Sequence, residues 1–275
     1  MNKNKFKCWK TWIAWILLFP VFLCTGIWLL QSKWSHRKTV FIPDYPKEEL
    51  TQETDYQIFW LQTGLGKSTV DRLLTTGKMD DIQKVQEAFF SKDQVECKSV
   101  FGWIVRSDRV EKEETAPLID LQPGDILLSF STHCVGWNHG HAGLVLNENE
   151  VLECTSLGKN SRIVKANHWR KYSNYIVLRV KDIERKVQNQ VADYAREYLL
   201  NVPYRLLAGI VGAKAADTSE KYFGLQCAYL VWYAWQTVGY DLDSDGGRLV
   251  TPHDILKSEY LEVIQVYGIN PLELD

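Results

Sequence analysis

His141-Ala-Gly-Leu-Val-Leu-Asn-Glu-Asn-Glu-Val-Leu-Glu153 decides how this chain is read. Two apolar runs flank a polar turn, which is the pattern of a β-hairpin. With Asn147 to Asn149 as a three-residue loop, Gly143 pairs with Glu153, and His141 lies diagonally beside Glu153 on one face. A two-residue loop would put them on opposite faces, because side chains alternate along a strand. An imidazole at a strand start, oriented by a carboxylate on the partner strand, is the arrangement a general base requires. Taken singly, Glu153 reads as a solvated strand carboxylate and His141 as a polar strand end.

The nucleophile such a base would serve stands downstream, in Gly224-Leu-Gln-Cys-Ala-Tyr-Leu-Val-Trp-Tyr-Ala-Trp235. Cys227 follows a glycine and begins a helical pattern, so it is expected in the first turn of a helix. Unpaired amides and the helix dipole there favour a thiolate. The plainer reading is a buried core cysteine, since Cys227, Leu230, Val231, Ala234 and Val238 share one face. The constellation of His141, Glu153 and Cys227 carries more weight than any member.

In order and spacing these segments resemble the NlpC-type cysteine hydrolases, and specifically their permuted, YiiX-like branch, in which the histidine segment precedes the cysteine segment. The Gln122-Pro-Gly-Asp-Ile126 strand entry, the His141-Ala-Gly-Leu-Val145 motif, Glu153 twelve residues on, the Cys227-Ala-Tyr-Leu-Val-Trp232 helix start and Thr251-Pro-His-Asp254 are similar to that family's elements. The resemblance covers about residues 117–266. It implies a circularly permuted papain-like α+β domain with a mostly antiparallel sheet. It also implies a catalytic Cys227, His141 and Glu153, with no metal and no organic cofactor. The Val202-Pro-Tyr204 segment resembles the family's Pro-Tyr element, which gives Tyr204 a role beside the oxyanion or the substrate. Ala228 replaces the serine that commonly follows the cysteine, and Gln226 the usual tyrosine or aspartate, so substrate preference is not carried over.

Outward from these motifs, strands are expected at 126–130, 142–146, 151–155 and 175–180. An amphipathic helix is expected from Ile183 to Leu200, with Ile183, Val187, Val191, Tyr194, Ala195 and Tyr198 on its buried face. Strands followed by helices without regular alternation indicate an α+β domain. His139 and His133 are near enough to His141 to be alternative bases, whereas His168 and His253 read as structural. Asp241-Leu-Asp-Ser-Asp-Gly246 opens like a calcium loop, but Pro252 stands where the bidentate glutamate belongs, so a post-helix turn is expected.

Residues 55–90 carry helical spacing and read as a helical lead-in. Within them Gln62-Thr-Gly-Leu-Gly-Lys-Ser-Thr69 imitates a phosphate-binding loop, yet Leu61 replaces its first glycine and no strand clearly precedes it. The chain divides into residues 1–38 (basic N-terminus and anchor), 39–116 (linker and lead-in) and 117–275 (catalytic domain).

Lys3, Lys5, Lys7 and Lys10 precede an uncharged apolar run from Trp12 to Leu30, long enough to span a bilayer. A signal peptide begins in the same way, but no small-x-small cleavage site is evident, and the run is read as an uncleaved single-pass anchor. The lysines favour a cytoplasmic N-terminus and an extracytoplasmic domain. A formal charge of -2 without a basic tract argues against nucleic acid as a partner. The expected substrate is a peptidoglycan peptide amide, with a lipid amide or ester as the alternative and a catalytically silent binding domain as a third reading. Cys97, Cys134 and Cys154 leave open a Cys97–Cys134 or Cys134–Cys154 disulfide.

Overall fold

The apolar runs between turn residues become strands of a sheet whose order follows the chain only in part. A computed structural model describes residues 40–91, 97–101, 105–110, 115–134, 137–211, 213–215, 218–219 and 223–274, together with 15, 18–26 and 29. Of the run from Trp12 to Leu30, residues 12–14, 16–17, 27–28 and 30 lie outside the described residues, and among those described no helix is long and apolar enough to cross a membrane.

The lead-in forms helices α1 (Tyr56–Thr63), α2 (Lys67–Thr75) and α3 (Met79–Phe90), followed by strands β1 (Cys97–Phe101) and β2 (Val105–Val110). After the Gln122–Asp125 turn come β3 (Ile126–Ser129), β4 (Thr132–Cys134), β5 (His141–Asn147), β6 (Glu150–Glu153), β7 (Arg162–Lys165) and β8 (Tyr175–Val180). Helices α4 (Arg185–Tyr198), α5 (Cys227–Gln236) and α6 (Pro252–Leu256) precede the last strand, β9 (Leu261–Tyr267).

Among the described residues the strands make a six-stranded sheet, β7-β6-β5-β3-β8-β9, and a three-stranded one, β1-β2-β4. Every pairing between these strands is antiparallel. The chain is therefore α+β with a mostly antiparallel sheet. Both faces of the large sheet are covered. Ile126, Leu128, Leu144, Ile176 and Leu178 pack with α4 and α5 residues such as Val191, Ala195, Leu230 and Ala234. Leu127, Val145, Val151 and Val177 turn to the other face, against Trp169, Tyr175 and Ile264. Full burial of each such aliphatic side chain contributes about 1.5–3 kcal/mol.

The β5–β6 register has a cause the sequence does not display. The turn is two residues long, with Asn147 opposite Glu150, but a bulge between Val145 and Asn147 shifts the pairing so that Gly143 faces Glu153. The bulge thus restores the face that a plain two-residue turn would have inverted.

The Gln122-Pro-Gly-Asp125 turn couples sheet to helix. Gly124 has φ +84° and donates its N–H to the Val145 carbonyl, while the Trp235 indole of α5 donates to the Gly124 carbonyl at 3.1 Å. Buried Asp125 takes both Nε and Nη2 of Arg179 on β8 at 2.8 Å. Helix α4 buries Val191 and Ala195 as expected, but its stripe turns toward Gln188 and Ala192 and leaves Tyr198 exposed against Tyr194.

Gly64 and Gly66, which suggested a phosphate loop, serve packing. A Cβ on Gly66 would lie 1.8 Å from the Val263 carbonyl oxygen, and one on Gly64 2.3 Å from that of Val266. Thr69 donates its hydroxyl to the Ile264 carbonyl at 3.0 Å. The lead-in is docked on β9.

Candidate active site

His141 opens β5 and Glu153 closes β6, so both stand at the same end of the sheet. Since Gly143 faces Glu153, the two side chains are diagonal neighbours on one face, and His141 Nε2 lies 3.2 Å from Glu153 Oε2. Glu153 is fully buried. Arg162, directly across on β7, donates to Glu153 Oε1 from Nε at 3.2 Å and from Nη2 at 2.9 Å. Burial pushes this carboxyl upward, but His141 and Arg162 outweigh burial and hold it down at about 2.

The imidazole is shifted the other way. Burial pushes it down, yet Tyr172, a hydrogen bond with Cys227 and the bond to Glu153 together raise it well above its ordinary value. With Nε2 committed to Glu153, Nδ1 is the nitrogen left for the thiol. Trp169 stacks on the ring, with centroids 5.0 Å apart and planes at 6°. Gly143 makes room for it, because a Cβ there would lie 2.6 Å from Trp169 Cζ2.

Cys227 is the first residue of α5, and Gln226 is its N-cap. Gln226 Oε1 accepts from the Ala228 amide at 3.0 Å and from Cys227 Sγ at 3.5 Å, while its Nε2 donates to the Val250 carbonyl. The cap therefore occupies the Ala228 amide. Of the two amides at the cysteine, only that of Cys227 itself is left for an oxyanion. Tyr204 is half-buried, and burial together with Cys227 and Cys154 nearby raises its phenol above the ordinary range. Its segment runs beside the approach to Cys227, with Arg205 N–H donating to Leu225 at 2.8 Å and Leu225 N–H to Pro203 at 3.1 Å.

The structure thus joins His141 to Glu153 by a hydrogen bond and sets Cys227 close enough to act on the imidazole, with Tyr204 near Cys227. The other described histidines have their own partners. His139 Nδ1 is 2.7 Å from the Gly140 carbonyl oxygen, His133 Nε2 lies 3.4 Å from Asp108, His168 faces Arg109 at 3.3 Å, and His253 meets the Asn138 carbonyl at 3.2 Å. Arg162, Trp169 and the capping role of Gln226 went unread in the sequence. Arg162 could have been found from the short alternating run Arg162–Lys165, whereas nothing in sequence order ties Trp169 to His141.

Cys154 is a free, buried thiol that donates to the Leu225 carbonyl at 3.5 Å, and burial pushes it up to about 12. It forms no disulfide with Cys134. Cys134 pairs with Val105 and Cys97 with Val110, five residues apart on β2. That is about 17 Å along the strand, too far for a Cys97–Cys134 bond. Next to Tyr204 opens a groove of about 460 Å³ lined by Leu157, Leu206, Leu207, Val211 and Phe223.

No protein-family model matches the sequence. No curated protein matches it either. Among solved structures, the chain is similar to the crystal structure of the metalloprotein YiiX from Escherichia coli O157:H7, at 16% identity and a TM-score of 0.39, over 52% of this chain and 96% of that one.

Proposed function

We propose that this chain is a membrane-anchored cysteine hydrolase of the permuted papain-like, NlpC type, which cleaves an acyl bond through Cys227, His141 and Glu153. The observation that carries the reading is the buried His141–Glu153 hydrogen bond set beside the thiol of Cys227 at the start of α5. Cys227 sulfur attacks the carbonyl carbon, and the proton carried by His141 passes to the departing amine or alcohol. Glu153 fixes the ring so that Nδ1 faces the thiol and stabilises the imidazolium. The Cys227 amide, with Tyr204 alongside, faces the developing oxyanion. His141 then draws a proton from water, which releases the acyl group and restores the thiol.

The basic N-terminus and the apolar run from Trp12 to Leu30 support an extracytoplasmic domain tethered to the cell membrane, within reach of peptidoglycan stem peptides. A second substrate reading is favoured by one observation. The groove beside Tyr204 is lined mainly by leucine, valine, phenylalanine and tyrosine, with Arg205 as its one charged residue among those described, which suits the acyl chain of a lipid amide or ester better than a polar peptide.

Iodoacetamide labelling of the full-length protein in detergent, with Cys227 followed by peptide mass spectrometry, tests the pair without assuming a substrate. Native Cys227 is expected to react at a rate that drops about tenfold or more in His141→Ala, while buried Cys154 reacts only on unfolding. A Cys227 that is inert until unfolding, or indifferent to His141, would return the chain to the silent binding-domain reading.

A further inference from the structure

Past α5, Asp241-Leu-Asp-Ser-Asp-Gly246 opens like a calcium loop and then lacks the glutamate that would close it. In the folded chain another carboxylate arrives. Asp254 on α6 brings an oxygen within 4.8 Å of oxygens of Asp243 and Asp245. We propose that Asp243, Asp245 and Asp254 bind a hard divalent cation of the calcium class, at a structural site separate from the Cys227 centre.

A buried oxygen supplies the independent ground. The Asp243 side chain is 0% exposed, and Lys214 engages its Oδ2. Its Oδ1 is buried with no hydrogen-bond partner among the described residues. A buried acceptor left in that state bears the uncompensated cost of its lost hydration, more when it is charged. A cation among the three carboxylates supplies what no donor does. Three carboxylates against one ammonium leave two negative charges, the complement of a divalent ion. The donors are all oxygen, which suits calcium or magnesium rather than zinc or copper.

The neighbouring groups hold the loop in this shape. Asp241 Oδ1 accepts from the Trp232 indole at 2.7 Å and from the Asp243 amide at 3.1 Å, so it acts as a brace. Asp254 gives Oδ2 to the Thr251 amide and hydroxyl at the start of α6 and keeps its other oxygen clear of that cap. The same segment reaches the active site from two sides, through Val250, which accepts from Gln226, and through His253, which meets Asn138 ahead of His141.

The test uses the full-length protein, freed of metal with EDTA and titrated with calcium chloride during thermal unfolding, and with terbium chloride under luminescence excited through tryptophan. Trp232 is placed to sensitise a bound terbium. Calcium is expected to raise the melting temperature and to displace terbium. Asp245→Asn, at an exposed position outside both the Lys214 pair and the helix cap, is expected to weaken calcium binding about tenfold or more without lowering the metal-free melting temperature. If millimolar calcium and magnesium move neither readout, the carboxylates share a proton and the proposal fails. If Asp245→Asn binds calcium as the parent does, the ion sits elsewhere and the proposal fails equally.

Discussion

Trp169 lies parallel to His141, 5.0 Å away, in space that exists because residue 143 is glycine. The stack is the packing wall that keeps the imidazole from turning off the line between Glu153 and Cys227. In Gly143→Ala the new methyl would meet the Trp169 ring at 2.6 Å and the Val151 side chain at 2.8 Å. The expected cost is about 1–3 kcal/mol of stability, with a larger proportional loss in Cys227 alkylation than in folded protein. Thermal unfolding and labelling of one preparation check this, and unchanged labelling would show that the stack does not position the base.

The pH profile should show the imidazole held charged. Because His141 is raised well above its ordinary value by Tyr172, Cys227 and Glu153, the loss of activity as it deprotonates should begin well above the usual histidine range. Glu153→Gln removes the negative partner, so the alkaline limb should move to lower pH. Hydrolysis rate of an acyl amide against pH in the two proteins measures the displacement, and a limb that stays in place would mean that Glu153 does not govern the proton on His141.

Glu153 also ties stability to acid. Its folded value, about 2, lies below the ordinary carboxyl. A depressed carboxyl contributes fully above its unfolded value, near 4.3, and loses that contribution as pH falls through the folded value. The gap corresponds to roughly 3 kcal/mol, about half of it gone by pH 3. Urea unfolding at pH 6 and pH 3 should therefore show the parent losing more stability than Glu153→Gln, and equal losses would contradict the arrangement.

The strands at β3, β5, β6 and β8 were legible because their apolar residues run unbroken or alternate between turn residues. The diagonal of His141 and Glu153 is legible too, though for a different reason than a three-residue loop: the loop is two residues long and the bulge between Val145 and Asn147 corrects the register. The buried stripe of α4 is rotated by part of a turn from the one its apolar spacing predicts, because Gln188 and Ala192 are buried beside Val191 and Ala195. Nothing local announces that β9 joins the far edge of the sheet, since its partner β8 is some eighty residues earlier. The glycines of the false phosphate loop answer to that same distant strand. Arg162 and Trp169 escaped for a kindred reason: their roles depend on cross-sheet contacts that no short motif encodes.

The apolar groove separates the two substrate readings by mutation. Leu206 is 57% exposed and Leu207 51%, so replacing either removes little buried core and should cost little stability. If a lipid acyl chain lies there during cleavage, Leu207→Asp puts a charge against it, and hydrolysis of a long-chain acyl amide should fall about tenfold or more. A short-chain analogue that reaches Cys227 without filling the groove should be cleaved as before, with the melting temperature unchanged. Muropeptide hydrolysis unaffected by Leu207→Asp, with no turnover of acyl amides by either protein, would assign the catalytic centre to cell-wall peptides and leave the groove outside the reaction.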